Sequence, residues 1–234
     1  MIYPIIIRYE THKIIRHGFG FYGRLYGGGY VKPWVSYIKE SGRVDFNRLY
    51  QRVEYLESTG TEYIELPFGF YPTDVVSLDA AHLVPVQEGD DKSVVGAKQQ
   101  DRQSRFSLMI INRNTFCCGF GNVITGNCPV RPLFVDTGRH YATYQDRVFT
   151  IDGSIFTVSP GTTFGAETTA VCLFYGWSSA TASRIWSYSH SKANGQKVNL
   201  LPVRIGNTGY MYDTVSGQLF GNTGTGDFIL GPDI

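Results

Sequence analysis

From Val53 to the end of the chain, apolar and polar residues alternate in short runs bounded by turn signals. Glu62-Tyr63-Ile64-Glu65-Leu66 and Asp74-Val75-Val76-Ser77-Leu78-Asp79 show the two-residue period of a half-buried strand. The same reading predicts strands over residues 93–97, 105–111, 115–120, 140–145, 147–151, 169–175, 182–190, 198–204, 209–213 and 218–222. Asp152-Gly153, Asn194-Gly195, Ser216-Gly217 and Asn207-Thr208-Gly209 punctuate them as tight turns. No stretch carries the period of a convincing amphipathic helix, so the pattern predicts an all-β sandwich. On the strand over 182–190, strict alternation sets Trp186 and Tyr188 against Ile185 and Ser187, one pair in the core and the other on the opposite face.

The first 52 residues break this pattern. Residues 4–15 are β-branched but alternate poorly, and predict one or two extended segments. From Gly18 to Tyr30 the chain is glycine and aromatic, with no period that a helix could use. Such a segment cannot bury its aromatics against itself and is expected to lie across a partner or another copy. Residues 44–53 read as a short helix or a bridge. The organisation is therefore an arm over 1–52 and one domain over 53–234.

Charge sharpens the division. The formal net charge is +1, but residues 1–52 hold nine Lys/Arg against three acids, and the remainder holds twelve against seventeen. Tyr and Gly interleave the arm's charges, which favours docking on an acidic protein surface over nucleic acid. Arg24, Tyr26, Tyr30 and Trp34 are the expected assembly interface, because Arg and aromatic side chains dominate protein contacts. A Gly-rich strand-former with unpaired edges also invites pairing with a neighbouring chain, so a homo-oligomer, a trimer among the options, is expected. The apolar run Ile5-Ile6-Ile7 is too short for a signal peptide or a membrane span.

The cysteines Cys117, Cys118, Cys128 and Cys172 match no zinc-binding spacing. They read as buried thiols of a protein assembled in a reducing cytoplasm, with a Cys118–Cys128 disulfide as the alternative.

Four stretches carry a family likeness. Val53-Glu54-Tyr55-Leu56-Glu57-Ser58-Thr59-Gly60-Thr61-Glu62-Tyr63-Ile64 resembles the opening strand of concanavalin A-like (laminin-G-like) jelly-roll domains of bacteriophage and prophage structural proteins. The run from Tyr210 through Asp213-Thr214-Val215-Ser216-Gly217-Gln218-Leu219-Phe220-Gly221-Asn222 to Phe228 resembles the closing hairpin of the same domain. Tyr144 to Gly153 resembles its hairpin with an Ile-Asp-Gly turn, and Ser183 to Tyr188 one of its late strands. The likeness covers residues 53–234 and implies a concanavalin A-like jelly-roll β-sandwich with an extended N-terminal arm. It also implies that opening and closing strands pair in one sheet. Domains of this kind bind glycans or proteins, display modules on fibres, or act as spacers; fold alone does not choose among these.

Enzymatic motifs fail on context. Gly18-Phe19-Gly20-Phe21-Tyr22-Gly23 satisfies G-x-G-x-x-G, but Arg24-Leu25-Tyr26-Gly27-Gly28-Gly29 follows where a phosphate-holding helix would have to start. Gly176-Trp177-Ser178-Ser179-Ala180 is one residue from a nucleophile elbow but lacks the α/β framework. Glycan-hydrolysing jelly rolls place two carboxylates at alternate strand positions, whereas Glu62 and Glu65 are three apart, and Glu88, Asp90 and Asp91 lie in a loop. The histidines His12, His17, His82, His140 and His190 are scattered. A rim calcium site would draw on Asp79, Asp136 or Asp152, yet Asp152 precedes Gly153 and reads better as a turn residue.

For sugar contact the candidates are Trp177 in a Gly/Ser-rich loop, with Asp136 and Arg139 flanking Gly138. The expectation is a non-enzymatic virion structural protein without a cofactor: a head fibre, capsid decoration or tail-fibre component. It would anchor through 1–52 to capsid or tail proteins and present the sandwich to host glycans. The alternative is a free-standing non-catalytic carbohydrate-binding protein.

Overall fold

The computed structural model describes residues 30–31, 50–83, 92–97, 106–112, 115–120, 123–124, 137–157, 170–176 and 179–234. The strands run in order as β1 (Tyr30–Val31), β2 (Gln51–Arg52), β3 (Leu56–Thr59), β4 (Ile64–Glu65), β5 (Val75–His82), β6 (Lys92–Ala97) and β7 (Phe106–Asn112). They continue as β8 (Thr115–Phe120), β9 (Val123–Ile124), β10 (His140–Gln145), β11 (Val148–Ile151), β12 (Ser154–Thr157), β13 (Val171–Leu173) and β14 (Tyr175–Gly176). The last are β15 (Ser179–Ala180), β16 (Ala182–Ser191), β17 (Lys197–Ile205), β18 (Thr208–Asp213), β19 (Leu219–Phe220) and β20 (Ile229–Leu230). Among the described residues there is no helix.

The strands build a large sheet of order β1-β19-β18-β17-β16-β5-β10-β11-β12, in which β2 adds to β17 and β3 adds to β16 and β20. A second sheet has the order β4-β13-β6-β7-β8-β9, and β14-β15 is a separate ribbon. All these pairings are antiparallel, as expected of a β-sandwich. The predicted strand over 169–175 is broken: Phe174 takes a φ of 58° and separates β13 from β14. β12 was not anticipated; it follows the Asp152-Gly153 turn, whose residues both have positive φ, the geometry that folds a two-residue hairpin back. Asp146 and Arg147 make the same kind of turn between β10 and β11, without a glycine. Two pieces of the N-terminal region join the large sheet: Tyr30 pairs with Phe220, and Arg52 with Val203.

One core lies between the sheets. Alternation on β5 turns Val76, Leu78 and Ala80 inward, and Ala142, Tyr144, Phe149, Ile185, Tyr188 and Leu200 join them from neighbouring strands. Val94, Val95, Val171 and Leu173 complete the cluster from the second sheet. Tyr144 packs its ring on Phe149 and Phe70, and its hydroxyl donates to the Pro72 carbonyl at 2.7 Å. That bond satisfies the one polar atom of a large apolar side chain. Cys172 is buried on β13, its thiol 3.8 Å from the Ala170 carbonyl; Cys117 and Cys118 lie on β8, and Cys128 lies outside the described residues.

The first and last segments of the domain hold each other. β3 pairs with β20, Glu54 N–H donates to Pro232 O at 2.8 Å, and Gly231 N–H to Tyr55 O at 2.9 Å. Further along, Thr223 N–H donates to Tyr63 O at 2.7 Å and Thr225 N–H to Thr61 O at 3.1 Å, while Tyr63 N–H donates to the Asn222 side chain at 3.1 Å. Glu62 sits buried beneath this contact and accepts from Thr59 N–H at 2.7 Å and from the Thr59 and Thr61 hydroxyls. Burial opposes its ionisation, but these donors outweigh it and hold its carboxyl below the usual range. The approach leaves no room at Gly224, where a Cβ would stand 2.1 Å from the Thr61 carbonyl oxygen. Gly224→Ala is therefore expected to lose about 1–3 kcal/mol of stability, seen as a lower urea midpoint with the same slope.

Candidate functional site

The best-formed surface cluster lies on the face of the large sheet turned away from the core. It begins with a β-bulge: Ile185 pairs with Ala80 and Ser187 with Asp79, so Trp186 is the extra residue on β16. A bulge re-aims side chains and breaks strict alternation. Ile185 and Tyr188 are both buried in the core, while Trp186 and Ser187 sit together on the part-exposed outer side. This corrects the expectation that Trp186 and Tyr188 share a face, because the two-residue period fails at the inserted residue.

Around Trp186 the charges and rings are stacked. Arg139 lies over the Trp186 ring, 4.7 Å from its centroid, and grips Asp79 through two bonds of 2.7 and 2.6 Å. Arg184 lies over Tyr55 at 4.1 Å and donates to Glu57 at 2.9 and 2.5 Å. The Tyr55 and Trp186 rings meet edge to face at 5.5 Å, and the indole N–H donates to Glu54 at 3.3 Å. The Asp79 carboxylate raises the pKa of Arg139 against partial desolvation, with a smaller contribution from Glu54. Tyr141, paired across from Asp79 and 51% exposed, continues the line on β10. Since β3, β16, β5 and β10 are consecutive neighbours, Tyr55 to Tyr141 spans about 14 Å, three interstrand steps. A row of uncharged hydroxyls runs beside it, with Ser77 and Ser189 2.6 Å apart and Thr143 and Thr150 2.5 Å apart.

Of the predicted sugar contacts, Arg139 belongs to this strip, while Trp177 and Asp136 lie outside the described residues. Of the predicted assembly residues, Arg24, Tyr26 and Trp34 also lie outside them, and the backbone of Tyr30 is in β1. Tyr55 and Trp186 were not proposed as site residues. Their signal was a Tyr before the opening strand and an aromatic flanked two residues away by Arg, but only the bulge and the pairing of β3 with β16 bring them together.

A second cluster is buried. His190 Nε2 stands 2.8 Å from Asp74 Oδ2, and its Nδ1 2.9 Å from the Tyr188 hydroxyl. The imidazole thus bridges the Asp74 carboxyl and the Tyr188 hydroxyl, one ring nitrogen to each. Tyr71 N–H also donates to Asp74, at 2.9 Å. An Asp, a His and a hydroxyl in series suggest nucleophilic chemistry, but all three residues are at most 1% exposed and no substrate reaches them. Their work is to hold the segment before β5 against β16, helped by Lys192, which donates to Gly69 O at 2.9 Å and lies over the Tyr71 ring.

Asp152 accepts from Tyr141 N–H at 2.9 Å and contacts His140 Nδ1 at 2.5 Å, as a turn residue that clamps its own hairpin. With Asp79 committed to Arg139, neither carboxylate is gathered into a cluster of three metal-ligating side chains among the described residues.

Burial, with Lys192 adding to it, lowers the pKa of His190 below 6.5 despite the opposing hydrogen bond to Asp74. The unfolded chain therefore takes up a proton first as pH falls, so this stability is present above pH 6.5 and is lost as pH drops below it. His190→Phe is expected to flatten that dependence. It should also cost about 1–3 kcal/mol at neutral pH, by stranding Asp74 and Tyr188; urea titrations across the acid range measure both effects. Compared with known proteins, the chain matches no family model, no curated protein and no solved structure.

Proposed function

We propose that the chain is a non-enzymatic bacteriophage virion structural protein, such as a head fibre, capsid decoration or tail-fibre component. It docks through residues 1–52 and displays a concanavalin A-like jelly-roll sandwich that contacts host glycans. The observation that carries the display role is the strip of Tyr55, Trp186, Arg139 and Tyr141, a flat face of rings and guanidinium groups of the kind that holds partners. The basic charge of the arm and the likeness of the domain's two ends to phage structural domains support the virion setting. The burial of His190 argues against chemistry at the Asp74–His190–Tyr188 series.

One observation favours the second reading, a free-standing carbohydrate-binding protein. Tyr30 and Val31 pair with Phe220 and Leu219 of their own chain, so this piece of the arm closes a sheet edge.

The separating experiment compares the full chain with residues 50–234. Tyr50 is kept because its ring stacks on Tyr212 at 4.5 Å; burial, then its hydrogen bond with Tyr212, pushes its pKa up to about 12. The virion role predicts that the full chain oligomerises and co-sediments with phage particles, while residues 50–234 are monomeric and stay in the supernatant. Co-sedimentation of the shorter chain would refute the anchoring role, and monomers of both would favour the free-standing binder.

A further inference from the structure

We infer that the outer-face strip takes an uncharged, hydroxyl-rich polysaccharide chain and discriminates against acidic ones, an inference that rests on the sugar-contacting role proposed above. The argument is electrostatic. Two guanidinium groups, Arg139 and Arg184, face three carboxylates, Asp79, Glu57 and Glu54, and each guanidinium is already bound to a carboxylate. A uronate or sialate arriving here meets no uncommitted cation among the described residues of the strip. It would have to displace Asp79 or Glu57 from a charge-assisted pair while approaching Glu54.

A neutral sugar faces no such obstacle. Its apolar ring faces stack on part-exposed rings and on the plane of Arg139, whose side chain is 52% exposed. Its hydroxyls donate to carboxylate lone pairs that the arginines leave free, since each oxygen of an ionised carboxylate accepts more than one hydrogen bond. The shape also selects for a chain. The strip crosses four neighbouring strands on a sheet face, with Tyr55 and Tyr141 at its ends and Trp186 between them, so rings meet the ligand at intervals along its length. The adjoining Ser77–Ser189 and Thr143–Thr150 row adds neutral hydrogen-bonding groups and no charge.

The test is affinity electrophoresis of the full chain through gels containing a neutral glucan, mannan or galactan, against polygalacturonate and polysialic acid, at low and high salt. Retardation by a neutral polysaccharide is expected, with affinity changing less than about twofold as salt rises from about 0.05 to 0.5 M, because no ion pair forms across the interface. Trp186→Ala is expected to weaken it about tenfold, the usual loss of a central aromatic contact. Tyr141→Ala, at an exposed position outside the core, is expected to weaken it less while leaving the thermal midpoint unchanged. This second variant keeps the test valid if the Trp186 variant fails to fold. Salt-sensitive binding of acidic polysaccharides alone, abolished by Arg139→Gln, would overturn this inference and leave the sugar-contacting role standing. No binding of either class, or binding indifferent to both aromatic variants, would overturn the two together.

Discussion

The pairing of the domain's first segment with its last is the constraint on which the large sheet depends. β3 is short and would be a weak edge alone, yet it lies between β16 and β20, and just before it Glu54 N–H donates to Pro232 O and Tyr55 O accepts from Gly231 N–H. Contacts this distant in sequence carry a large loop-closure cost, which only dense local bonding offsets. The buried Glu62 carboxylate supplies that density by ordering the Thr59–Thr61 turn, and the glycines of the closing segment let its backbone reach that turn. Once the two ends are joined, β16 has neighbours on both sides and β5 is set against it in register.

That register positions the outer face. A bulge costs a strand its regular hydrogen bonding, and here it places Trp186 beside Ser187 without disturbing Tyr188 and His190 further along. The polar groups then close on one another, Arg139 with Asp79 and Arg184 with Glu57, so the face is rich in aromatic and guanidinium surface yet each guanidinium is paired with a carboxylate. Exposed ion pairs of this sort add little to stability. Their effect here is to fix the orientation of the stacked side chains.

The core has a polar counterpart to this arrangement. Asp74, His190 and Tyr188 occupy space that apolar side chains would fill at lower cost; Asp74 Oδ2 accepts from Tyr71 N–H and meets His190 Nε2, while the buried Asp74 Oδ1 has no hydrogen-bond partner. Their geometry requires the segment preceding β5 to meet β16 in one way, since a shift would strand the carboxylate. Phe68 and Phe70 pack around the imidazole and keep water from it.

Local chemistry was sufficient for much of this. Alternation located strands such as Val75–His82, because a half-buried strand writes its burial directly into a two-residue period. Asp152-Gly153 was legible as a turn because Asp and Gly adopt positive φ angles at low cost, while the strand after it, β12, was not. The strand that pairs with β3 is β20, beyond residues 210–228, while Thr223 and Thr225 reach Tyr63 and Thr61 through backbone bonds. Arg139 was legible as a polar residue near a glycine, but its partners Asp79 and Trp186 were not, since they lie far from it and from each other in sequence. Which of them converge depends on strand order and on a single bulge, and neither leaves a local trace: shifting one residue exchanges the faces of everything that follows. The sequence by itself determined the strands and their turns through local burial and backbone preference. Only the tertiary structure decided which side chains share the outer face, because that is a property of register between segments distant in the chain.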